Sequence, residues 1–240
     1  MRSAFISDTH LASRGCRSGA ISAFLDGLEC ERLFVVGDFV DCWRLRGKVY
    51  FPSSHLEIVM RVLDLADRGV EVTYVPGNHD AVAHAYDGQA LGGVRVMSEA
   101  VHQTADGRRL WIVHGDQFDR IERSAPLVCM IGAAANEHFL HRANAAVNQW
   151  RERRGKPSVS LLAELRANTK RMTGAQREFE YEATSRAAEA GHDGVICGHV
   201  HAPAAIQGEV GYFNCGDWID SCTALVEDLD GELRLVRQLS

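Results

Sequence analysis

Short, mainly apolar runs separated by amphipathic stretches dominate the first third of the chain. Two such runs, Arg2–Ser7 and Arg32–Gly37, predict buried strands, because a strand that is covered on both faces is mainly apolar. Val70–Val75, followed by Pro76-Gly77, predicts a third strand. Apolar residues recur at helical spacing over Ser53–Arg68, and Ala20–Leu28 is also compatible with a helix. Strands that alternate with helices in this way predict a parallel core sheet.

The pattern changes after residue 90. Further short strands are predicted at Val94–Met97, Val101–Thr104, Leu110–Val113, Val195–Cys197, Gly211–Asn214, Thr223–Val226 and Leu233–Val236. Between the third and the fourth of these strands, Arg120–Ala190 has a helical pattern nearly throughout. We therefore expect a single domain over residues 1–240 that carries a helical insertion, acting as a lid, at about 120–190.

Composition narrows the class of protein. The 240 residues are 46% hydrophobic and 24% charged, which is typical of a globular protein and excludes a disordered chain. A net charge of −6 argues against a non-specific nucleic-acid binder. The longest apolar run, Ala125–Ala135, is too short for a spanning helix, and the first residues lack a secretory pattern. The seven cysteines form no Cys-x-x-Cys pair, so we expect a cytoplasmic protein without a disulfide framework.

The predicted insertion differs in charge from the rest of the chain. Arg120–Ala190 contains 12 basic and eight acidic residues, whereas the whole chain is acidic. A basic segment on an acidic body favours an anionic ligand or an anionic membrane surface beside it. The alternative is a solvated helix face whose charge bias has no function.

Five polar clusters each follow an apolar run. They are Asp8-Thr9-His10, Gly37-Asp38-Phe39-Val40-Asp41, Gly77-Asn78-His79-Asp80, His114-Gly115-Asp116 and Gly198-His199-Val200-His201. Ligands of open α/β sheets bind at the carboxyl ends of strands, so these clusters are expected to converge. Carboxylate and imidazole ligands suit Mn²⁺, Fe or Zn²⁺. None of the five clusters offers a cysteine ligand, which argues against a structural zinc site. The alternative is a set of strand-end caps and turn residues.

The ordered set of clusters resembles the calcineurin-like metallophosphoesterase superfamily, from Asp8 to His201. The resemblance implies an α/β fold, a four-layer α/β/β/α sandwich with two mixed sheets, and a binuclear metal site. It implies three groups of ligands: one metal is held by Asp8, His10 and His201, the other by Asn78, His114 and His199, and both by Asp38. It also implies a metal-dependent phosphohydrolase in which a hydroxide between the metals attacks phosphorus.

Two further residues acquire catalytic roles from the same resemblance. His79 resembles the general acid of the superfamily, and Asp41 resembles the carboxylate that orients it. The cofactors are expected to be two divalent ions, Mn²⁺ by preference, with Fe or Zn²⁺ as alternatives. His55 and His102 lie outside these clusters and are expected to be structural residues at the surface or partly buried.

A narrower resemblance is to the UDP-2,3-diacylglucosamine pyrophosphohydrolases of bacterial lipid A synthesis. It is carried by Asp8-Thr9-His10-Leu11, Gly37-Asp38-Phe39-Val40-Asp41-Cys42-Trp43, Asn214-Cys215-Gly216-Asp217-Trp218 and the helical insertion. Within the insertion, the resemblance makes Arg166, Asn168 and Lys170 candidate substrate contacts, the alternative being an ordinary charged helix surface. The chain departs from this group at His79, where the lipid A enzyme usually carries arginine.

The narrower resemblance implies a pyrophosphohydrolase that cleaves UDP-2,3-diacylglucosamine, or a similar nucleotide-diphospho-lipid, to UMP and a lipid phosphate. The alternative is a phosphodiesterase for a soluble cyclic nucleotide or nucleotide diphosphate, and a third possibility is a non-catalytic scaffold of the same fold. The expected partner is the phosphorylated substrate, with no nucleic acid. Peripheral contact with the cytoplasmic face of the inner membrane is part of the first prediction.

Overall fold

The computed structural model describes residues 1–46, 49–119 and 174–238. The chain divides into two compact units, one formed by Met1–Phe118 with Glu180–Ser240 and the other by Asp119–Phe179. Most of the predicted insertion therefore lies outside the described residues, and its helical and lid character stays a prediction. Among the described residues, no helix combines the length and the apolar character that crossing a bilayer requires.

A seven-stranded mixed sheet forms the first layer of strands. Its strands, in spatial order, are β12 (Leu233–Arg237), β11 (Thr223–Glu227), β1 (Ser3–Ile6), β2 (Arg32–Val36), β3 (Glu71–Val75), β5 (Val94–Val96) and β4 (Ala90–Leu91). The strands β1, β2, β3 and β5 are parallel to one another, as the alternation of strands and helices predicts. The outer pairs β1–β11, β11–β12 and β4–β5 are antiparallel.

A five-stranded mixed sheet forms the second layer. Its order is β6 (Ala100–Gln103), β7 (Arg109–Ile112), β8 (Gly194–Cys197), β10 (Gly211–Asn214) and β9 (Ala204–Ile206). Here β7, β8 and β10 are parallel, and the two edge strands run antiparallel to their neighbours. The prediction missed β4 and β9, which are two and three residues long and mostly exposed at sheet edges, so they carry no buried apolar pattern.

The period of two along each strand divides the core into two regions. Between the sheets, Phe5 of β1 and Phe34 of β2 stack with ring centroids 5.0 Å apart and meet Ile112 of β7 and Phe213 of β10. The alternate residues of β1 point to the opposite face, where the helices α1 (Ser18–Asp26) and α2 (Ser53–Asp67) cover the seven-stranded sheet. Both helices lie within two residues of their predicted bounds.

The third described helix, α3 (Gly174–Glu189), has Ala183 and Ala187 fully buried. Trp111 of β7 points away from the inter-sheet core and contacts the ring of Phe118, with centroids 5.7 Å apart. The guanidinium of Arg186 in α3 lies 6.0 Å from the centroid of that Phe118 ring. Helix, sheet, sheet and helix therefore follow one another, and the predicted four-layer α/β/β/α class with two mixed sheets is confirmed.

Candidate metal centre

The five polar clusters follow β1, β2, β3, β7 and β8, so they leave the carboxyl ends of parallel strands at a common edge. Backbone hydrogen bonds tie the loops together. The amide of His10 donates to the carbonyl of Asp38 at 2.9 Å, and the amide of Gly198 donates to the carbonyl of His114 at 2.9 Å. The side chains that the sequence singles out are thus gathered at one end of both sheets.

The backbone is strained at the predicted ligands. Left-handed φ values, which residues other than glycine rarely adopt, occur at Asp8 (53°), His10 (46°), Asp38 (53°), His199 (66°) and His201 (51°). Each such residue costs about 1 kcal/mol or more, and strain of this kind clusters at functional sites. The concentration of five such residues in three loops indicates that side-chain placement at this edge is favoured over backbone stability.

Two glycines allow the side chains to approach this closely. A Cβ atom at Gly198 would overlap the Asp8 carboxylate, and one at Gly77 would lie 2.6 Å from Cδ2 of His114. Neither position has space for a side chain, so each glycine is required by the packing of the site rather than by a turn alone. The glycines that precede the predicted ligands are therefore part of the site.

Asp8, His10 and His201 form the first group of candidate ligands. Oδ1 of Asp8 lies 3.1 Å from Nε2 of His201 and 3.8 Å from Nε2 of His10, and the two imidazole nitrogens are 3.3 Å apart. Asp8 is fully buried, yet its Oδ1 atom accepts no hydrogen bond. Buried polar atoms normally have partners, so a carboxylate oxygen that shares a small space with imidazole nitrogens fits a bound cation.

A second group surrounds Asp38. Its Oδ2 atom lies 3.4 Å from Nε2 of His114 and 3.6 Å from Nε2 of His10, so this carboxylate faces both groups. Nε2 of His114 is also 3.1 Å from Oδ1 of Asn78, and the His114 and His199 ring centroids are 5.3 Å apart. Oxygen and nitrogen donors of this kind are consistent with a pair of divalent cations.

His79 and Asp41 lie beside these groups. Nδ1 of His79 is 3.1 Å from Oδ1 of Asp41, while its Nε2 is 3.9 Å from Oδ2 of Asp38. The other oxygen of Asp41 accepts a hydrogen bond of 2.7 Å from Nε of Arg44. The His79 ring is thus directed by a carboxylate that is itself held by a cation, an arrangement that fixes a tautomer and favours proton transfer at Nε2.

Comparison with known proteins places the chain in a family. The family model of the calcineurin-like phosphoesterases matches residues 1–203. The chain belongs to this family. It is 28% identical to the UDP-2,3-diacylglucosamine hydrolase of Xanthomonas campestris pv. campestris over 96% of this chain and 97% of that protein. The hydrolase of the same name from Porphyromonas gingivalis is 27% identical over 50% of this chain and 48% of its own length.

Among solved structures, the phosphoesterase Yfce from E. coli is similar at 14% identity, with complete coverage of both chains and a TM-score of 0.46. Family membership makes this chain a metal-dependent phosphohydrolase. The roles of individual side chains are a separate matter, because the comparisons name no residues. The assignment of ligands and of a general acid stays a prediction, which the side-chain geometry supports.

Charges inside the phosphoesterase site favour some of the protonation states that metal ligation needs. Burial alone would raise the pKa of Asp8, but His201 and His114 outweigh it and lower that pKa to about 2. Burial lowers the pKa of His10 to about 4 despite the attraction of Asp38, so this imidazole is neutral at pH 7. Burial disfavours protonation of His114 as well, yet the Asp38 and Asp8 carboxylates raise the pKa of His114 well above its ordinary value. A cation at His114 therefore competes with a proton.

The sequence did not single out Asp80 as a functional residue. Its buried carboxylate accepts hydrogen bonds from the amides of Gly77 at 2.6 Å and Phe39 at 2.7 Å, and longer ones from those of Asp38 and Val40. Asp80 therefore joins the loop that carries Asp38 to the loop that carries Asn78. Its position at the end of a predicted motif was visible, but its partners, about 40 residues away, were not.

Other predicted residues divide into three groups. Arg166, Asn168 and Lys170 lie outside the described residues, so their contact with substrate stays a prediction. Trp218, in the motif near the C-terminus, is fully buried against Phe24 behind the site. The placement of His55 and His102 at the surface or partly buried was wrong, since each is only 2% exposed.

Proposed function

We propose that this phosphohydrolase cleaves the pyrophosphate bond of UDP-2,3-diacylglucosamine, or of a similar nucleotide-diphospho-lipid, to give UMP and a lipid phosphate. The observation that carries the proposal is the Asp38 carboxylate, which faces imidazoles of both candidate ligand groups, His10 at 3.6 Å and His114 at 3.4 Å. The substrate class is supported by the full-length similarity to hydrolases of that name. A cytoplasmic location and peripheral membrane contact belong to the same proposal.

The ligand assignment that fits the geometry has two groups that share one carboxylate. In this proposal Asp8, His10 and His201 hold one ion, Asn78, His114 and His199 hold the other, and Asp38 contacts both. Mn²⁺ is proposed, with Fe or Zn²⁺ as alternatives for the same donor set. When bound, two such ions would supply activation of a water molecule and stabilisation of negative charge on the phosphoryl oxygens.

His79 acts as the general acid in this proposal. The Asp41 carboxylate, which accepts a hydrogen bond from Arg44, lies 3.1 Å from Nδ1 of His79, which leaves Nε2 to carry the proton that neutralises the leaving oxygen. Burial disfavours the protonated ring, but Asp41 and Asp38 outweigh burial and raise the pKa of His79 above its ordinary value. A raised pKa favours the protonated ring, which is the form that a general acid needs.

The experiment is to load the protein with Mn²⁺, offer UDP-2,3-diacylglucosamine in detergent and measure UMP. Release that depends on Mn²⁺ and disappears in Asp38→Ala supports the proposal. The matched control is Asp64→Ala, which removes a carboxylate that pairs with Arg68 on the exposed surface. Intact substrate, together with Mn²⁺-dependent turnover of a bis-aryl phosphodiester, would refute the lipid substrate and keep the phosphohydrolase.

A phosphodiesterase for a soluble substrate is the second candidate. The observation that favours it is His79, because the lipid A group resembled by this chain usually carries arginine at that position. An arginine offers a fixed charge and two parallel donors to a phosphate, whereas a histidine offers one donor and a proton. A substrate analogue without acyl chains discriminates the two: an unchanged kcat/KM on removal of the chains supports the soluble substrate.

A further inference from the structure

Trp43 lies face to face with the candidate general acid. The ring centroids of Trp43 and His79 are 3.7 Å apart and the ring planes differ by 27°, so the indole covers one face of the imidazole. His10 approaches the same imidazole edge-on, with a centroid distance of 4.7 Å and an angle of 86°. The His79 ring is thus bounded by an aromatic face, an aromatic edge and the Asp41 carboxylate.

The backbone fixes Trp43 relative to its partner. The amide of Cys42, the residue before Trp43, donates a 3.1 Å hydrogen bond to the carbonyl of His79 itself. The amide of Asp41 donates to the carbonyl of Leu11 at 2.7 Å, which ties the same turn to the loop after β1. Main-chain hydrogen bonds therefore fix the segment of Trp43 relative to that of His79, so the local fold holds the two rings together.

The stack with Trp43 restricts the tilt of the His79 ring, which the contact with Asp41 alone does not restrict. The Asp41 carboxylate lies 3.1 Å from Nδ1 and attracts that nitrogen by charge, but the ring can still tilt and move Nε2 out of line with a bound phosphate. Stacking resists this tilt, and an aromatic pair is worth about a threefold to tenfold preference between arrangements. A general acid depends on such alignment, since small displacements of a catalytic group lower rates steeply.

We propose that Trp43 is a positioning residue for the reaction, which acts by holding the plane of the His79 ring. The inference rests on the proposed role of His79 as the general acid. It assigns Trp43 no contact with substrate or metal. The expected consequence is a change in turnover without a change in substrate affinity or in metal content.

The test compares Trp43→Leu, Trp43→Phe and the control Trp111→Leu in the Mn²⁺-loaded protein with a phosphodiester that has an unactivated alkyl leaving group as the probe, because that leaving oxygen needs a proton. Trp111 is a matched control because it is also an aromatic residue in ring contacts, but on the outer face of the five-stranded sheet. We expect Trp43→Leu to lower kcat about tenfold with KM and bound Mn²⁺ unchanged. Trp43→Phe restores most of the rate, because it retains an aromatic face.

A double-mutant cycle decides whether the effect passes through His79. In a His79→Ala background, Trp43→Leu should change kcat less than about twofold, since residues that act as one unit are not additive. Equal effects of Trp43→Leu in both backgrounds, or a raised KM in place of a lowered kcat, would overturn the inference. A fully active His79→Ala would instead refute the proposed general acid, so the two failures are distinguishable.

A readout without turnover examines the stack directly. Tryptophan emission should increase when His79→Ala removes the imidazole that covers the indole, and the same change should have no effect on emission in a Trp43→Phe background. The metal-free and Mn²⁺-loaded proteins are both measured. Emission that responds to His79→Ala equally with and without Trp43 would show that this contact is absent, and would overturn the inference whatever the kinetics.

Discussion

The buried carboxylate of Glu227 offers a quantitative test of how the two sheets are joined. Oε2 of Glu227 in β11 accepts hydrogen bonds of 2.8 Å from Ser3 and from Nε2 of His102. Its Oε1 atom accepts from Arg2 at 2.8 Å and from the amide of Ala105 at 2.7 Å. Since His102 belongs to β6 of the other sheet, this carboxylate links both layers at the end of β1 opposite the candidate metal centre.

The contribution of Glu227 to the free energy of folding follows from the pKa of its carboxylate. Burial alone would raise the pKa of Glu227, but the bonds from His102, Ser3 and their neighbours outweigh it and lower the pKa from 4.5 to about 2. The difference corresponds to about 3 kcal/mol of folding free energy. Because the pKa is lower in the folded state, this stabilisation is complete above pH 4.5 and is lost as the pH falls from 4.5 towards 2.

The assay is urea unfolding of wild type and Glu227→Gln at pH 7 and at several values below 4.5. We expect the substitution to lower the free energy of unfolding by about 3 kcal/mol at pH 7, and the difference to shrink as the pH falls. Glu71→Gln is the control, because the Glu71 side chain is 73% exposed in its pair with Arg32 and should contribute less than about 1 kcal/mol. A Glu227→Gln protein as stable as wild type, or a deficit independent of pH, would refute this reasoning.

Three further predictions concern the site. Asp38→Ala should abolish both metal binding and nearly all turnover, because the carboxylate faces both ligand groups; elemental analysis after dialysis against Mn²⁺ checks this, and retention of both ions would contradict it. His79→Ala should retain the metals and lose about 10²–10⁴ in kcat, so metal loss equal to that of Asp38→Ala would argue against a general acid. Gly77→Ala should impair metal binding, because its Cβ would displace the Asp38 carboxylate and the His114 ring; isothermal titration with Mn²⁺ measures the loss, and an unchanged affinity would show that the loop can move.

The strands that carry the site could be predicted because their signal is local. Each of β1, β2, β3, β7 and β8 is a short, mainly apolar run followed at once by a polar cluster. Three of them, β1, β2 and β8, are buried almost throughout, and such a strand needs no partner to be recognised. The order of the clusters then predicts one shared edge, where the structure brings the side chains together. The family resemblance, not the spacing, supplied the division into two ligand groups.

The orientation of β6 could not be read from hydropathy. Alternation places either Val101 or His102 in the core, and an apolar preference selects valine. The structure has the reverse, with Val101 48% exposed and His102 buried. The cause is the carboxylate of Glu227, 125 residues away in sequence, which favours an imidazole over a methyl group on the inner face.

On helix α2, the burial of His55 could not be predicted from hydropathy either. Its Nδ1 atom accepts a 2.9 Å hydrogen bond from the amide of Ala12, a residue with a left-handed φ of 78° in the loop after β1. The rings of Tyr50 and Phe51 cover the imidazole on other sides. A sequence pattern shows that α2 is amphipathic, but it does not show that a loop elsewhere in the chain supplies a hydrogen-bond donor to a polar side chain on the buried face.

The two ends of β1 carry buried acidic groups of opposite character. At the start of the strand, both oxygens of Glu227 have donors, and the cluster stabilises the fold. After its end, Asp8 is equally buried, yet Oδ1 has no donor and the backbone is left-handed at Asp8 and at His10. Unsatisfied polar atoms and strained backbone both cost free energy, so this end is not optimised for the stability of the polypeptide alone. Packing of the sheets and the hydrogen bonds of Glu227 offset that cost. The negative charge on Oδ1 of Asp8, which no hydrogen bond satisfies, remains able to attract a cation.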